Sequence, residues 1–291
     1  DLIGLGTYYD TLMPAAERIG LELVLDAQAD NARAHALNYV SLAGRDGALV
    51  QLQDEVTGET FTVKPQVVVN AAGAWIDFAN RSLRRDTHFI GGTKGSHIIV
   101  DNPRIMATLN GSAVYFENND GRMCIFAPFG DKIMIGATDI RIENPDEAVC
   151  TEDEIDYFRT FSKQIMPDLN FDRSQVVFHF SGVRPLIYSD VEFTGLISRD
   201  HSIQVVDPAD DMPFPVYSLV GGKWTTYRQF SEEAADTVLT YLQKPRNTST
   251  ADVPIGGGAD YPRTEAAQSA WVSRVAAASG LTEERVQVLF D

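Results

Sequence analysis

The chain of 291 residues holds only two cysteines, Cys124 and Cys150, far apart and in no CxxC arrangement. That spacing excludes a disulfide framework and a cysteine-ligated metal as organising devices, and it reads as two free, buried thiols of a reducing cytoplasm. Histidines are few and scattered, with no HExxH, no Cys/His cluster and no calcium-loop spacing, so no metal site is expected. Basic residues are short: Lys and Arg number 24 against 41 Asp and Glu, a formal net charge of −17. Such a balance excludes a nucleic-acid partner and a basic surface for anionic lipids. It also means that an anionic substrate needs a local cationic pocket to overcome the global field. No apolar run approaches the roughly 18 residues that span a bilayer. No signal peptide is visible. A Gly-x-Gly-x-x-Gly turn is lacking too, because Gly4-Leu5-Gly6 has no third glycine and no strand before it. No internal repeat is present.

The length is enough for a substantial core and two domains. Pro14 to Gly20 reads as a helix end closed by glycine, followed by a buried strand, Leu21 to Asp26. Ala36 to Leu42, Ala48 to Gln53 and Phe61 to Val63 alternate between turn sequences as a β-meander. Val67 to Asn70 is a β-branched run of the kind covered on both faces, and a helix starts at Trp75. Short antiparallel strands are then expected at Ser96 to Val100, Ala113 to Glu117, Met123 to Ala127 and Lys132 to Gly136. Thr151 with Glu154 forms a capping box for a helix reaching about Ile165. Further strands are expected at Gln175 to Val183, Phe193 to Ser198, Ser202 to Val206 and Val216 to Val220. A helix over Tyr227 to Leu242, a linker over Asn247 to Pro262 and two helices, Arg263 to Ala278 and Thr282 to Phe290, complete the pattern.

Against that background, Gly221-Gly222-Lys223-Trp224-Thr225-Thr226 stands between a strand and a helix. A strand that breaks at two glycines and restarts as a helix leaves backbone N–H groups and the positive end of the helix dipole free for an anion or an electron-rich ring edge. Tight helix–sheet packing explains the glycines equally well. Trp224 itself reads as core. Upstream lie Ser181-Gly182-Val183-Arg184-Pro185-Leu186 and Ser198-Arg199-Asp200-His201, then Gly91-Gly92-Thr93-Lys94-Gly95-Ser96-His97, then Val67-Val68-Val69-Asn70-Ala71-Ala72-Gly73-Ala74-Trp75. Arg184 and Arg199 offer planar forks that grip phosphate or carboxylate, or else pair with surface acids. His97 has a pKa range suited to taking a hydroxyl proton, or else is a satisfied core histidine. Asp139 and Glu143 read as isolated.

Taken in order, these motifs resemble the FAD-dependent glycerol-3-phosphate dehydrogenases, within the D-amino-acid-oxidase-like flavoproteins, over nearly the whole chain. The resemblance implies FAD as cofactor and hydride transfer from sn-glycerol 3-phosphate to give dihydroxyacetone phosphate. It implies His97 as general base in the substrate pocket, Arg184 and Arg199 on the substrate phosphate, and Lys94 adding positive potential there. Lys223 with Gly221, Gly222, Thr225 and Thr226 would lie at the flavin pyrimidine edge, Lys223 also reaching substrate. Ala72 and Gly73 would let the backbone pass close to the cofactor. A quinone acceptor and peripheral association with the cytoplasmic face of the membrane are implied as well, with a homo-oligomer left open.

The expected fold is α/β with a large antiparallel component. Residues 1–85 and 181–245 are expected to form an incomplete FAD-binding domain, 86–180 a substrate-side sheet, and 246–291 a linker and the start of a C-terminal helical domain. The missing dinucleotide turn and the helical pattern running into the last residue read as an internal fragment of a longer enzyme, itself inactive. A glycerol-3-phosphate oxidase, an amine oxidase of the same superfamily and a non-catalytic binding module are the alternatives.

Overall fold

The computed structural model describes every residue except 1–3, 5, 10–12, 14, 120, 169, 192–193 and 291. It divides into two compact units, residues 1–38 with 247–291, and residues 39–246. The first unit thus joins the N-terminal segment to the C-terminal one rather than to the meander that follows it.

In the first unit, helix α1 (Ala16–Asp30) replaces the expected helix end and strand. Pro14 and Phe193, which open two of the expected elements, lie outside the described residues. Across 16–30 the chain is rich in Ala, Leu and Glu and has no proline, so one helix runs through Gly20 at a cost of about 1 kcal/mol relative to alanine. The Asp26 carboxylate accepts the Gly256 N–H at 2.8 Å, tying α1 to a short 3-10 turn, Gly256–Asp260.

The second unit opens with an antiparallel meander, β1 (Val40–Asp46), β2 (Leu49–Asp54) and β3 (Thr60–Val63). β1 is displaced four residues along the chain from the expected Ala36 to Leu42, so that it runs through the Gly-Arg-Asp segment before the turn. Arg45 is only 4% exposed there. Its guanidinium is satisfied by the Leu83 and Gly47 carbonyls and by Asp211 at 2.9 Å. β4 (Val68–Asn70) leads through a 3-10 turn, Gly73–Trp75, into α2 (Ile76–Ser82). β4 lies at the edge of its sheet, and Val69 is 45% exposed rather than covered on both faces.

β5 (Thr93–Val100) is the axis of the largest sheet. Around it come α3 (Pro103–Leu109), β6 (Val114–Glu117), β7 (Met123–Phe129), β8 (Lys132–Gly136), β9 (Ile140–Arg141), α4 (Glu152–Ile165) and β10 (Val176–Arg184). The strand order is β10-β5-β8-β7-β6, all neighbours antiparallel, with β9 paired to the start of β5. Strand residues alternate between faces. Ile98 and Val100 of β5, Phe126 of β7 and Ile133 and Ile135 of β8 point to one face. There they meet Ile105 and Leu109 of α3 and Ile155, Phe158 and Phe161 of α4 in the main core. At roughly 1.5–3 kcal/mol for each large side chain buried, this layer fixes the sheet, and with it the opposite face.

β11 (Ser202–Val206) and β12 (Val216–Val220) form a hairpin whose second strand pairs in parallel with β4, Ser218 opposite Asn70. Thr194–Leu196 is a 3-10 turn and not the expected strand, its central glycine giving a strand no side chain to pack. A second core of Val50, Leu83, Met212, Phe214 and Val216 joins the meander to this sheet. α5 (Tyr227–Tyr241) follows β12 through a 3-10 turn, Trp224–Thr226. The first unit then closes with α6 (Glu265–Ser279) and α7 (Glu283–Phe290), packed through Val272, Ala276 and Val286. The chain is therefore α/β with a dominant antiparallel component. Among the described residues no helix is long and apolar enough to cross a membrane, no cluster of His, Cys, Asp and Glu could hold a metal, and neither cysteine forms a disulfide.

Candidate active site

The face of the large sheet opposite the α3/α4 core collects the odd-numbered residues of β5. His97 lies across from Phe180 on β10 and Gly136 on β8, and Gly95 across from Gly182. Arg184, opposite Thr93, shares this face four residues along. Both side chains lie flat over glycines. A Cβ on Gly95 would fall 2.6 Å from the Arg184 guanidinium carbon, and one on Gly136 would fall 2.7 Å from His97 Nε2. The two glycines are thus the beds of the arginine and the imidazole.

Arg184 Nη1 donates to Asp139 Oδ1 at 3.1 Å and to the Thr138 carbonyl at 3.2 Å. Burial lowers the Arg184 pKa, Asp139 raises it, and the positive charge of Arg199 lowers it further. Arg199 is exposed and makes no hydrogen bond or ion pair among the described residues, so its charge acts on Arg184 with only Asp139 to compensate. Holding like charges together is costly unless an anion joins them.

His97 stacks on Phe180, with ring centroids 5.2 Å apart, and its Nδ1 is buried without a hydrogen-bond partner. Burial and the nearby Arg184 charge lower its pKa to about 4. The imidazole is neutral at physiological pH and therefore able to accept a proton. Most buried polar atoms are hydrogen-bonded, so this unpaired nitrogen sets His97 apart from a histidine held by core hydrogen bonds.

Lys94 does not join this group. As an even-numbered residue of β5 it points to the core face, 8% exposed, where its ammonium donates to Glu154 Oε2 at 2.8 Å and to the Val149 carbonyl at 2.8 Å. Glu154 also accepts from Thr138 Oγ1 at 2.7 Å, Ser96 Oγ at 2.8 Å and the Thr151 N–H at 2.9 Å. Burial pushes its carboxyl up, but these bonds outweigh burial and hold it at about 2. The predicted capping box is present, and Glu154 is at once its N3 residue and the hub of a buried network. Asp139, read as isolated, is the partner of Arg184.

The glycine-rich turn meets the arginine segments through the backbone. Gly221, at φ +74°, donates its N–H to the Pro185 carbonyl at 2.9 Å, and a Cβ there would lie 2.6 Å from the Asp200 carbonyl oxygen. The residues after Arg184 and Arg199 are therefore stitched to one turn. Lys223, Trp224 and Thr225 are exposed, Trp224 at 56%, so the tryptophan is not core. Thr226 Oγ1 accepts the Lys223 N–H at 3.1 Å and closes the turn. His201 stacks on Phe230 at 4.3 Å and bonds Glu233 at 3.0 Å, a structural role.

Ala72 and Gly73 leave the carboxyl end of β4 beside the end of β12, where ligands of α/β sheets sit. Asn70 fixes this exit by donating to the Ile76 carbonyl and Asn80 and accepting the Ala72 N–H. Ala72 lines a pocket of about 220 Å³, and Gly73, at φ +59°, is open to space on its Cβ side. A larger hollow of about 740 Å³ is lined by Asp77, Arg81, His88, Arg141 and Tyr188 and holds none of these residues. Its Asp77 is spent on Thr87 and the Phe89 and Ile90 N–H groups, and Arg141 bonds the Ser189 carbonyl, so those charges hold loops. His97 and Arg184 lie on the β5 face instead.

The family model described as FAD dependent oxidoreductase matches residues 9–208. A glycerol-3-phosphate dehydrogenase of Synechocystis sp. is 37% identical over 281 residues, 90% of this chain and 49% of that protein. A D-erythritol 1-phosphate dehydrogenase of Brucella abortus is 31% identical over 261 residues, 81% of this chain and 50% of that protein. Among solved structures, the glycerol-3-phosphate dehydrogenase from Bacillus halodurans complexed with FAD superposes with a TM-score of 0.74 at 28% identity, over 93% of this chain and 52% of that one. The chain spans about half the length of the relatives it matches. With its antiparallel sheet, its strand-end glycine turns and this match over most of its length, the chain belongs to the FAD dependent oxidoreductase family.

Proposed function

We propose that the protein oxidises the secondary alcohol of sn-glycerol 3-phosphate to dihydroxyacetone phosphate with FAD. The observation that carries this reading is the pairing, on one sheet face, of a neutral His97 with Arg184, whose guanidinium also feels the positive charge of Arg199 in the loop before β11. A bare alcohol would need only the base. An anion-bearing alcohol needs both.

Arg184 and Arg199 bind the phosphate, whose charge relieves their mutual repulsion. That binding fixes the hydroxyl-bearing carbon near His97, and orientation of this kind is a major share of rate enhancement. His97 takes the hydroxyl proton. The phosphate charge offsets that of Arg184, so the imidazole becomes a stronger base when substrate is bound. FAD, when bound, supplies the acceptor for the hydride leaving the same carbon. Gly221, Gly222, Lys223, Thr225 and Thr226 would hold its ring edge, and Ala72 and Gly73 the more distant part. The positive-φ glycines and the exposed Lys223 fit such a group. Lys94 braces the sheet from behind. Residues 1–85 with 181–245 form part of the cofactor-binding domain in this reading, 86–180 the substrate side, and 246–291 the start of a helical domain. Electrons pass on to a quinone, with the protein peripheral on the cytoplasmic face of the membrane, as the family resemblance supports.

The test is a substrate and acceptor panel on the full-length, FAD-loaded protein. Turnover of glycerol 3-phosphate with a soluble quinone, and little with glycerol or an amino acid, is expected. Preference for D-erythritol 1-phosphate would keep the chemistry and change the substrate. Preference for an amino acid would reject the reading, and stoichiometric hydrogen peroxide would replace quinone by oxygen.

A further inference from the structure

Arg184 is held at one end only. Its Nη1 donates to Asp139 Oδ1 and to the Thr138 carbonyl, while Nε and Nη2 donate to nothing among the described residues. A guanidinium pinned by one nitrogen presents its remaining edge, with two parallel N–H directions, to an oxyanion. The pin is itself buried: the Asp139 side chain is 11% exposed and Thr138 is 3% exposed. Thr138 Oγ1 donates to Glu154 Oε1 at 2.7 Å and accepts the Ser96 N–H at 2.9 Å, so its place is set by β5 and α4 together. Ser96 and Gly95 are neighbours on β5, and Gly95 is the bed of the guanidinium. The dipeptide Thr138-Asp139 therefore joins the buried Lys94–Glu154–Ser96 network on one face of the sheet to the arginine on the other.

We infer that Asp139 and Thr138 are positioning residues for phosphate recognition: they aim Arg184 at an anionic substrate, and the buried Glu154 network fixes the aim. The inference rests on the functional reading above and deepens it. Asp139 does not touch substrate. It sets the direction and compensates part of the charge of the group that does.

The test uses Asp139→Ala, Asp139→Asn, Arg184→Ala and the double variant Asp139→Ala/Arg184→Ala in the full-length, FAD-loaded protein. Four quantities are read: KM and kcat for glycerol 3-phosphate, the inhibition constant of inorganic phosphate, and Tm. Losing a charge-assisted hydrogen bond predicts a rise of about 10- to 100-fold in KM and in the phosphate inhibition constant for Asp139→Ala, with kcat within about threefold. Asn keeps an acceptor oxygen and should recover most of the loss. In the Arg184→Ala background, Asp139→Ala should add less than about twofold, because residues acting as one unit are not additive. Unchanged KM and phosphate inhibition in Asp139→Ala would overturn the inference, and so would equal losses in both backgrounds together with equal drops in Tm. Should the Ala variant not fold, Asp139→Leu, of similar size and without an acceptor oxygen, decides: normal Tm with KM and phosphate inhibition unchanged from wild type overturns it too. A wild type that binds inorganic phosphate by calorimetry but is inactive on glycerol 3-phosphate would sink the functional reading alone, leaving the Asp139–Arg184 coupling to be read from the phosphate dissociation constants of the same variants.

Discussion

His97 and Arg184 hold their places because two neighbours have no side chain. A methyl group on Gly95 would displace the guanidinium, and one on Gly136 would displace the imidazole. In Gly95→Ala the arginine moves instead of the sheet, so KM for the phosphate substrate should rise about tenfold, the scale of a lost charge-assisted bond, with Tm little changed. Steady-state kinetics beside a thermal melt checks this. His97 carries a pH signature. Its folded pKa is about 4 against an ordinary 6.5, so between those values the unfolded chain binds more protons. The stability His97 contributes is therefore complete above pH 6.5 and is lost as pH falls through 4. His97→Gln should flatten that part of the stability–pH curve. Imidazole NMR of the wild type should place the titration near pH 4 and move it upward when inorganic phosphate is added, since an anion beside Arg184 favours the protonated ring. His97→Ala should lower kcat by about 10²- to 10⁴-fold, the usual contribution of a general base.

At the scale of the element, β5 divides its labour by parity. Even residues Lys94, Ser96, Ile98 and Val100 build the interior, and odd residues Gly95 and His97 build the site. Lys94 and Glu154 form an ion pair with side chains 10% and 5% exposed, and removing one partner of such a pair leaves a buried charge uncompensated. Lys94→Met should cost about 3–5 kcal/mol in denaturant unfolding, far more than a substrate-pocket lysine at the surface would. What the sequence disclosed is what local rules govern. The α4 capping box, the alternation of β5, β7 and β8, and the strand–glycine–helix passage at 216–227 are written within a few residues. Failures came where distant partners decide. The family resemblance puts Lys94 in the pocket of His97, yet one step of parity sets the two on opposite faces. Asp139 looked isolated because its partner lies 45 residues away. Arg45 looked like a turn residue because Leu83 and Asp211, which make its burial affordable, are remote. In α1, Leu-Glu-Leu-Val-Leu alternates like a strand while its composition favours a helix, and without a sheet neighbour the helix prevails.

Over the whole molecule, the net charge is −17, while Arg184 on the β5 face lies near enough to Arg199 to feel its charge. An anionic substrate is admitted only where that local field reverses the global one. The Tyr39–Arg246 unit contains this entire face, along with both strand ends that lead into the glycine turns. The central claim is that His97 and Arg184 on this face, with Arg199 from the neighbouring loop, select a phosphorylated alcohol for oxidation. Anaerobic mixing of the full-length, FAD-loaded protein with glycerol 3-phosphate, followed by flavin absorbance, tests it most directly. The account predicts bleaching by glycerol 3-phosphate in the wild type, none by glycerol, and bleaching slowed by about two orders of magnitude or more in His97→Ala. Equal bleaching by glycerol, or unslowed bleaching in His97→Ala, would contradict it.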